Sequence, residues 1–163
     1  GVLQDYKEAV KWYRLAADQG NAHAQSDLGM MYRQGQGVPQ DYKEAVRLYR
    51  LSAEQGYAFA QVLLGAMYSH GQGVPQDYKE AVRLYRLSAE QGEASAQYNL
   101  GVMYSEGKGV AQDYVLAHMW FSLSSSQGIT IAIKGRNIVE EEMSKQQIEK
   151  AQEMARNWKP KTN

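Results

Sequence analysis

Cysteine is missing altogether, so disulfides, thiolate metal sites and thiol nucleophiles are excluded together. An excess of charge is missing too: 18 basic side chains balance 18 acidic ones, for a formal net charge of zero. A nucleic-acid binder gathers a basic surplus on one face, so that class of partner is not expected. No apolar run approaches the roughly 18 residues that cross a bilayer, and membrane insertion is not expected either. The histidines His23, His70 and His118 never pair at helical metal-ligand spacing. No glycine-rich phosphate loop closing on Lys-Ser or Lys-Thr occurs. The sequence therefore calls for no metal and no cofactor. A hydrophobic content of 44% nonetheless argues for a folded core.

What the 163 residues do contain is a repeat. Asp5-Tyr6, Asp41-Tyr42, Asp77-Tyr78 and Asp113-Tyr114 stand 36 residues apart without slippage. Gly37 through Gly56 is identical to Gly73 through Gly92 over all twenty residues. Internal duplication produces such identity, as would consensus design, and a fixed period of this length marks an array of stacked supersecondary units. Gly1-Val2-Leu3-Gln4 matches Gly37-Val38-Pro39-Gln40, so the chain opens inside a repeat, and upstream sequence, with any export signal, is expected before it.

Each unit reads as two helices. The first, helix A, is predicted over Ala22–Gln34, Ala58–His70 and Ala94–Glu106, each followed by a Gly-x-Gly turn. Glycine suits that place because it adopts positive φ without a Cβ clash. The second, helix B, starts at Asp41 or Asp77, with Glu44 or Glu80 three residues on in a capping-box-like pattern. Pro39 and Pro75 sit just outside, where the missing N–H costs nothing. Tyr42, Ala45, Val46, Tyr49 and Ala53 form one apolar stripe of an amphipathic helix. Lys43, Arg47, Arg50 and Glu54 fall opposite, with Arg50–Glu54 and Arg86–Glu90 spaced as i,i+4 ion pairs. Those arginines read as a solvated convex face, the alternative being an anion-binding ridge.

The C-terminal segment departs from the repeat. A helix over Ile129–Met143 keeps Ala132 but loses the Leu-Gly and Gly-x-Gly marks. Ser144 and Gln147 then open a last helix bearing Ile148, Ala151, Met154, Ala155 and Trp158. Trp120 and Phe121 replace Leu84 and Tyr85, suited to filling that junction. Terminal solenoid units are atypical because one side faces water. The domain reading is one repeat domain over 1–163: 1–20 as the second helix of a truncated repeat, 21–56, 57–92 and 93–128 as full repeats, and 129–163 as capping helices.

The stretch from Ala60 to Ala81, Ala-Gln-x-x-Leu-Gly-x-Met-Tyr-x-x-Gly-x-Gly-Val-x-Gln-Asp-Tyr-x-x-Ala, resembles the Sel-one-like repeat family, relatives of tetratricopeptide repeats. The resemblance covers Gly1–Gly128. It implies an all-α, right-handed α-solenoid of antiparallel helix pairs and a role as adaptor or interaction module. It also carries the expectation of a bacterial source and an exported protein.

Copy-to-copy comparison points to a surface. Numbered from Asn21, Tyr57 and Glu93, helix-A positions 2, 4, 5, 8, 9, 11 and 12 are identical in all three repeats, and positions 3, 6, 7, 10, 13 and 14 differ. At about 100° per residue the varying positions fall in one arc of roughly 120°. That stripe reads His23, Ser26, Asp27, Met30, Arg33 and Gln34, then Phe59, Val62, Leu63, Ala66, Ser69 and His70, then Ser95, Tyr98, Asn99, Val102, Ser105 and Glu106. The resemblance to tetratricopeptide repeats implies that nearly the same positions line a concave groove. Phe59, Val62, Leu63 and Tyr98 give it an apolar centre and the flanking residues a polar rim.

Ser105 and Lys108 fit the Ser-x-x-Lys acylation motif, but that chemistry needs the serine at a helix start and here it stands at a helix end. His118 replaces Val46 and Val82 on an apolar face, as a satisfied core histidine, and Glu140–Glu142 reads as a solvated acidic run. The sequence favours a monomeric, non-catalytic scaffold that binds a protein or peptide. A structural spacer in a bacterial envelope or secretion assembly is the alternative, and a hydrolase comes last.

Overall fold

Local capping chemistry divides the chain into its elements. A computed structural model describes residues 1–162, among which nine helices and no strand occur. They are α1 Val2–Asp18, α2 Ala22–Gln34, α3 Tyr42–Glu54, α4 Ala58–His70, α5 Tyr78–Glu90, α6 Ala94–Glu106, α7 Tyr114–Ser126, α8 Thr130–Glu140 and α9 Lys145–Asn157. The carboxylates of Asp41 and Asp113 accept the Glu44 and Leu116 amides, each at 3.0 Å, and Asn21 does the same for Ala24 at 2.9 Å. The expected capping box in helix B is only half made. Glu44 does not return to the cap, because its carboxylate accepts from the Nε and one terminal nitrogen of Arg47 at 2.9 and 2.7 Å.

The second glycine of each turn has a tertiary reason. Gly37 and Gly73 sit at φ +72, and a Cβ on either would lie 2.5 Å from the carbonyl oxygen of Tyr6 or Tyr42, at the start of the preceding helix B. The connection closes against backbone there, so no side chain fits.

The chain divides into two compact units, Gly1–Asp77 and Tyr78 onward. In the first, α1 packs on α2, α2 on α3 and α3 on α4. Val10, Ala17, Leu28, Met31 and Leu48 make its core, with Tyr6 and Tyr13 against them. Gly29 lets α3 come so near that an added Cβ would meet the Tyr49 ring at 2.8 Å. Buried polar groups bind the layers. The Gln25 amide donates to the Ala17 carbonyl at 3.3 Å and accepts from Gln55 at 2.8 Å, and the Ser52 hydroxyl donates to the Ala22 carbonyl at 2.7 Å. Arg50 corrects its expected pairing with Glu54: its guanidinium reaches the Tyr68 hydroxyl on α4 at 3.0 Å.

The second unit holds α5 to α9, with α8 and α9 both packed on α7. The same links recur: Gln127 to Gln97 at 2.8 Å, Ser124 to the Ala94 carbonyl at 2.8 Å, and Arg86 to the Tyr104 hydroxyl at 2.8 Å. Phe121 stands where the first unit has Tyr49. Tyr49 keeps a buried hydroxyl with no hydrogen-bond partner among the described residues, and burial pushes its phenol up to about 12. Phe121 avoids that orphan, and its ring lies between Gly101 and Gly135, a Cβ on either falling within 2.8 Å of it.

The C-terminal helices differ from expectation in three respects. The helix predicted over Ile129–Met143 stops at Glu140, with a turn before the full capping box of Ser144 and Gln147. Trp158 lies beyond α9 in extended backbone and meets Trp120 edge-on, ring centroids 6.2 Å apart. Glu140 is not merely solvated: its carboxylate bonds Nε2 of His118, a residue only 1% exposed, at 2.7 Å. The buried histidine is thus satisfied, and it ties α7 to the end of α8.

Candidate binding surface

The variable helix-A positions do not share one environment. His23, His70 and Glu106 are exposed, and Asp27, Met30, Arg33, Phe59, Leu63, Ala66, Asn99 and Val102 are half-buried. Ser26, at 0% exposure, and Val62, at 7%, are buried, which corrects their assignment to the open stripe. Position six lies one turn before the position-nine glycine, and the close helix approach that the glycine permits covers it. Its variation from Ser26 to Val62 to Tyr98 is a change of volume within a seam. Tyr98 itself is half-buried, its ring 5.8 Å from Phe121. It therefore acts partly as core, and truncating it tests packing as well as binding.

In the first unit the stripe begins with rings. His23 meets Tyr57 at 4.3 Å between centroids with the rings tilted by 40°, and Phe59 meets the same tyrosine edge-on at 6.4 Å. Below them, burial raises the Asp27 carboxyl above its ordinary value, opposed by the nearby His23. Tyr57 varies between copies as Asn21 and Glu93 do, a signal available in the sequence, but it is the N-cap before α4, outside the helix on which the arc was drawn.

In the second unit the stripe opens into a groove of about 450 Å³ between α6 and α8. Tyr98, Val102, Ser105 and Glu106 form one wall, and Phe121 and Tyr114 lie at the base. The other wall comes from Ile131, Lys134, Ile138 and Glu142. Gly135 carries no side chain and lets the α8 backbone lie directly on Phe121 at the base. Ile131 and Ile138 are each 55% exposed, and together they present apolar surface along one side of the groove. Sequence reading missed this wall, because α8 lacks the repeat's marks. Ile131, Lys134 and Ile138 stand at i, i+3 and i+7, which places them on one helix face.

The Ser-x-x-Lys match does not form an acylation site. The Ser105 hydroxyl donates to the Val102 carbonyl at 2.9 Å, and the Lys108 ammonium pairs with Glu106 at 2.7 Å, so the Ser-x-x-Lys pair is committed elsewhere. Among the described residues no cluster of metal-ligating side chains occurs, and no helix is long and apolar enough to cross a membrane.

Comparisons with known proteins agree with this architecture. A family model described as Sel1 repeat matches residues 1–21, 22–57, 58–93 and 94–129. A Sel1 repeat protein from Oxalobacter formigenes is 37% identical, with a TM-score of 0.71 over 77% of this chain and 52% of that one. A protective antigen present in uropathogenic Escherichia coli strains, displaying the SLR fold, is 31% identical, with a TM-score of 0.56 over 91% of this chain and 40% of that one. The chain thus spans about half or less of the length of these solved relatives. No curated protein matches the chain at a significant level. Four consecutive repeat matches and two solved relatives of the same helical-repeat fold lead to one conclusion: the chain belongs to the Sel1 repeat family.

Proposed function

We propose that this chain is a non-catalytic scaffold that binds a protein or peptide on the variable face of its first-in-pair helices. Sel1 repeat proteins typically serve as protein-interaction scaffolds. The observation that carries the reading here is the contrast between the two helix faces. The constant residues are consumed by packing: Gly29 and Gly101 against rings, Gln25 and Gln97 in buried hydrogen bonds, Tyr68 and Tyr104 as acceptors from arginine. The variable residues at positions three, seven and ten remain open or partly open within each unit: apolar Phe59 and Leu63 with polar His23 and Asp27 in the first, and apolar Val102 with polar Asn99 in the second. Apolar and polar side chains mixed on an open helix face are the composition of an interaction patch.

Position seven supplies the test, because Leu63 and Asn99 are half-buried and their change leaves the seam at position six intact. A chain carrying Leu63→Glu and Asn99→Arg is compared with the wild type for capture of partners, with circular dichroism as the fold control. The scaffold reading expects a folded variant that loses its captured partner, since truncated hot spots cost about 2 kcal/mol or more in binding. Undiminished capture by the folded variant would leave the spacer reading in its place.

A further inference from the structure

We propose that the groove between α6 and α8 docks a peptide bearing a bulky apolar side chain with a basic residue beside it, an inference that rests on the scaffold reading above. The apolar half of this chemistry is set by the walls. Ile131 and Ile138 stand 55% exposed on one wall, half-buried Tyr98 and Val102 face them from the other, and the volume of about 450 Å³ falls in the range of small-ligand pockets. Water held there gains little from such walls, and an aliphatic or aromatic side chain displaces it with favourable transfer energy.

The basic half follows from how charge is arranged along the groove. The helices α6 and α8 run in the same direction, each antiparallel to α7, so their C-terminal ends meet at one mouth. Partial negative charge gathers at helix C-termini. Glu106 is the last residue of α6, and Glu142 follows the end of α8 by two residues, which adds two carboxylates to that mouth. Lys108 offsets Glu106 from the α5 side, its ammonium lying 5.7 Å from the centroid of the Tyr78 ring. Glu142 has no cationic partner among the described residues. Lys134 stands one turn from both Ile131 and Ile138, midway along the wall, and repels a cation there. A basic residue of the peptide is therefore accommodated at the glutamate mouth alone, next to the apolar anchor.

The test is selection of random twelve-residue peptides displayed on phage against the whole chain, with the enriched pool sequenced. The probe is the library itself. The expected pool carries a bulky apolar residue with arginine or lysine within a few positions and is depleted in acidic residues. Ile138→Glu, at an exposed site whose change leaves the fold intact by circular dichroism, should cut recovery of that pool at least tenfold. Glu142→Lys should shift the preference from basic to acidic peptides. A pool indifferent to both changes, yet lost with Leu63→Glu, overturns this site while leaving the broader scaffold reading standing. A pool that needs Ile138 but shows no charge preference overturns the basic-residue assignment. No enrichment on the folded wild-type chain counts against both.

Discussion

The guanidinium of Arg50 and the hydroxyl of Tyr68 are joined at 3.0 Å across 18 residues, from the second helix of one repeat to the first helix of the next. Arg14–Tyr32 at 2.9 Å and Arg86–Tyr104 at 2.8 Å repeat the bond at the same separation. The arginines are therefore not an idle solvated face, and the constancy of the tyrosine has a polar cause beside its packing.

The bond lies at the surface, where water competes, so its worth is small. A double-mutant cycle with Arg50→Met and Tyr68→Phe should give a coupling of about 0.5–1 kcal/mol in urea unfolding. Strict additivity would show that the two side chains meet without stabilising the junction.

Phe121 has a glycine on each side and no room to retreat. Gly101→Ala places a Cβ 2.8 Å from its ring while Gly135 keeps α8 close on the other face. Overpacking of this kind costs about 1–3 kcal/mol, and thermal unfolding should register it. The larger Gly65→Leu, at the same repeat position, should lose more. Unchanged melting of both variants would mean that position nine tolerates side chains.

His118→Val restores the residue that Val46 and Val82 hold in the other repeats, and by local pattern it should be harmless. The structure reverses that expectation, because Glu140 loses its bond to Nε2 and α8 loses its polar tie to α7. Loss of a partly buried hydrogen bond to a charged group costs about 1.5–3 kcal/mol. Hydrogen exchange should quicken in the α8 amides before those of α6. Equal protection in both would assign the histidine to packing alone.

Removing Ser144–Asn163 uncovers the face of α7 on which α9 lies, including Trp120 where Trp158 now packs. The tail also returns to α5, its Lys161 amide bonding the Glu90 carbonyl at 2.7 Å and its ammonium the Glu90 carboxylate at 3.0 Å. Terminal surfaces of repeat arrays need a polar cover for solubility. The truncated chain should aggregate or melt at a clearly lower temperature, with Trp158→Ala intermediate. A soluble truncation of undiminished stability would reduce the tail to an appendage.

The bounds of α2, α4 and α6 agree with those predicted from the sequence, and helix B begins after Asp41 and Asp113 as its capping pattern requires. These features are written within a few residues: a carboxylate meets an amide three positions on, and a glycine takes positive φ at the next turn. Such hydrogen bonds close inside one element, so the sequence by itself determined them, together with the 36-residue period that makes the fold a helical repeat. Other outcomes needed the helices side by side. Arg50 has Glu54 within local reach but bonds Tyr68, and Ser26 looks open on a helical wheel but lies at 0% exposure. Gly135 carried no repeat mark, yet it lets the α8 backbone close directly on the Phe121 ring, which is only 2% exposed. A wheel assigns each residue a direction and not a neighbour. Which directions are covered depends on how closely two helix axes approach and in what register, and only the tertiary structure decided that.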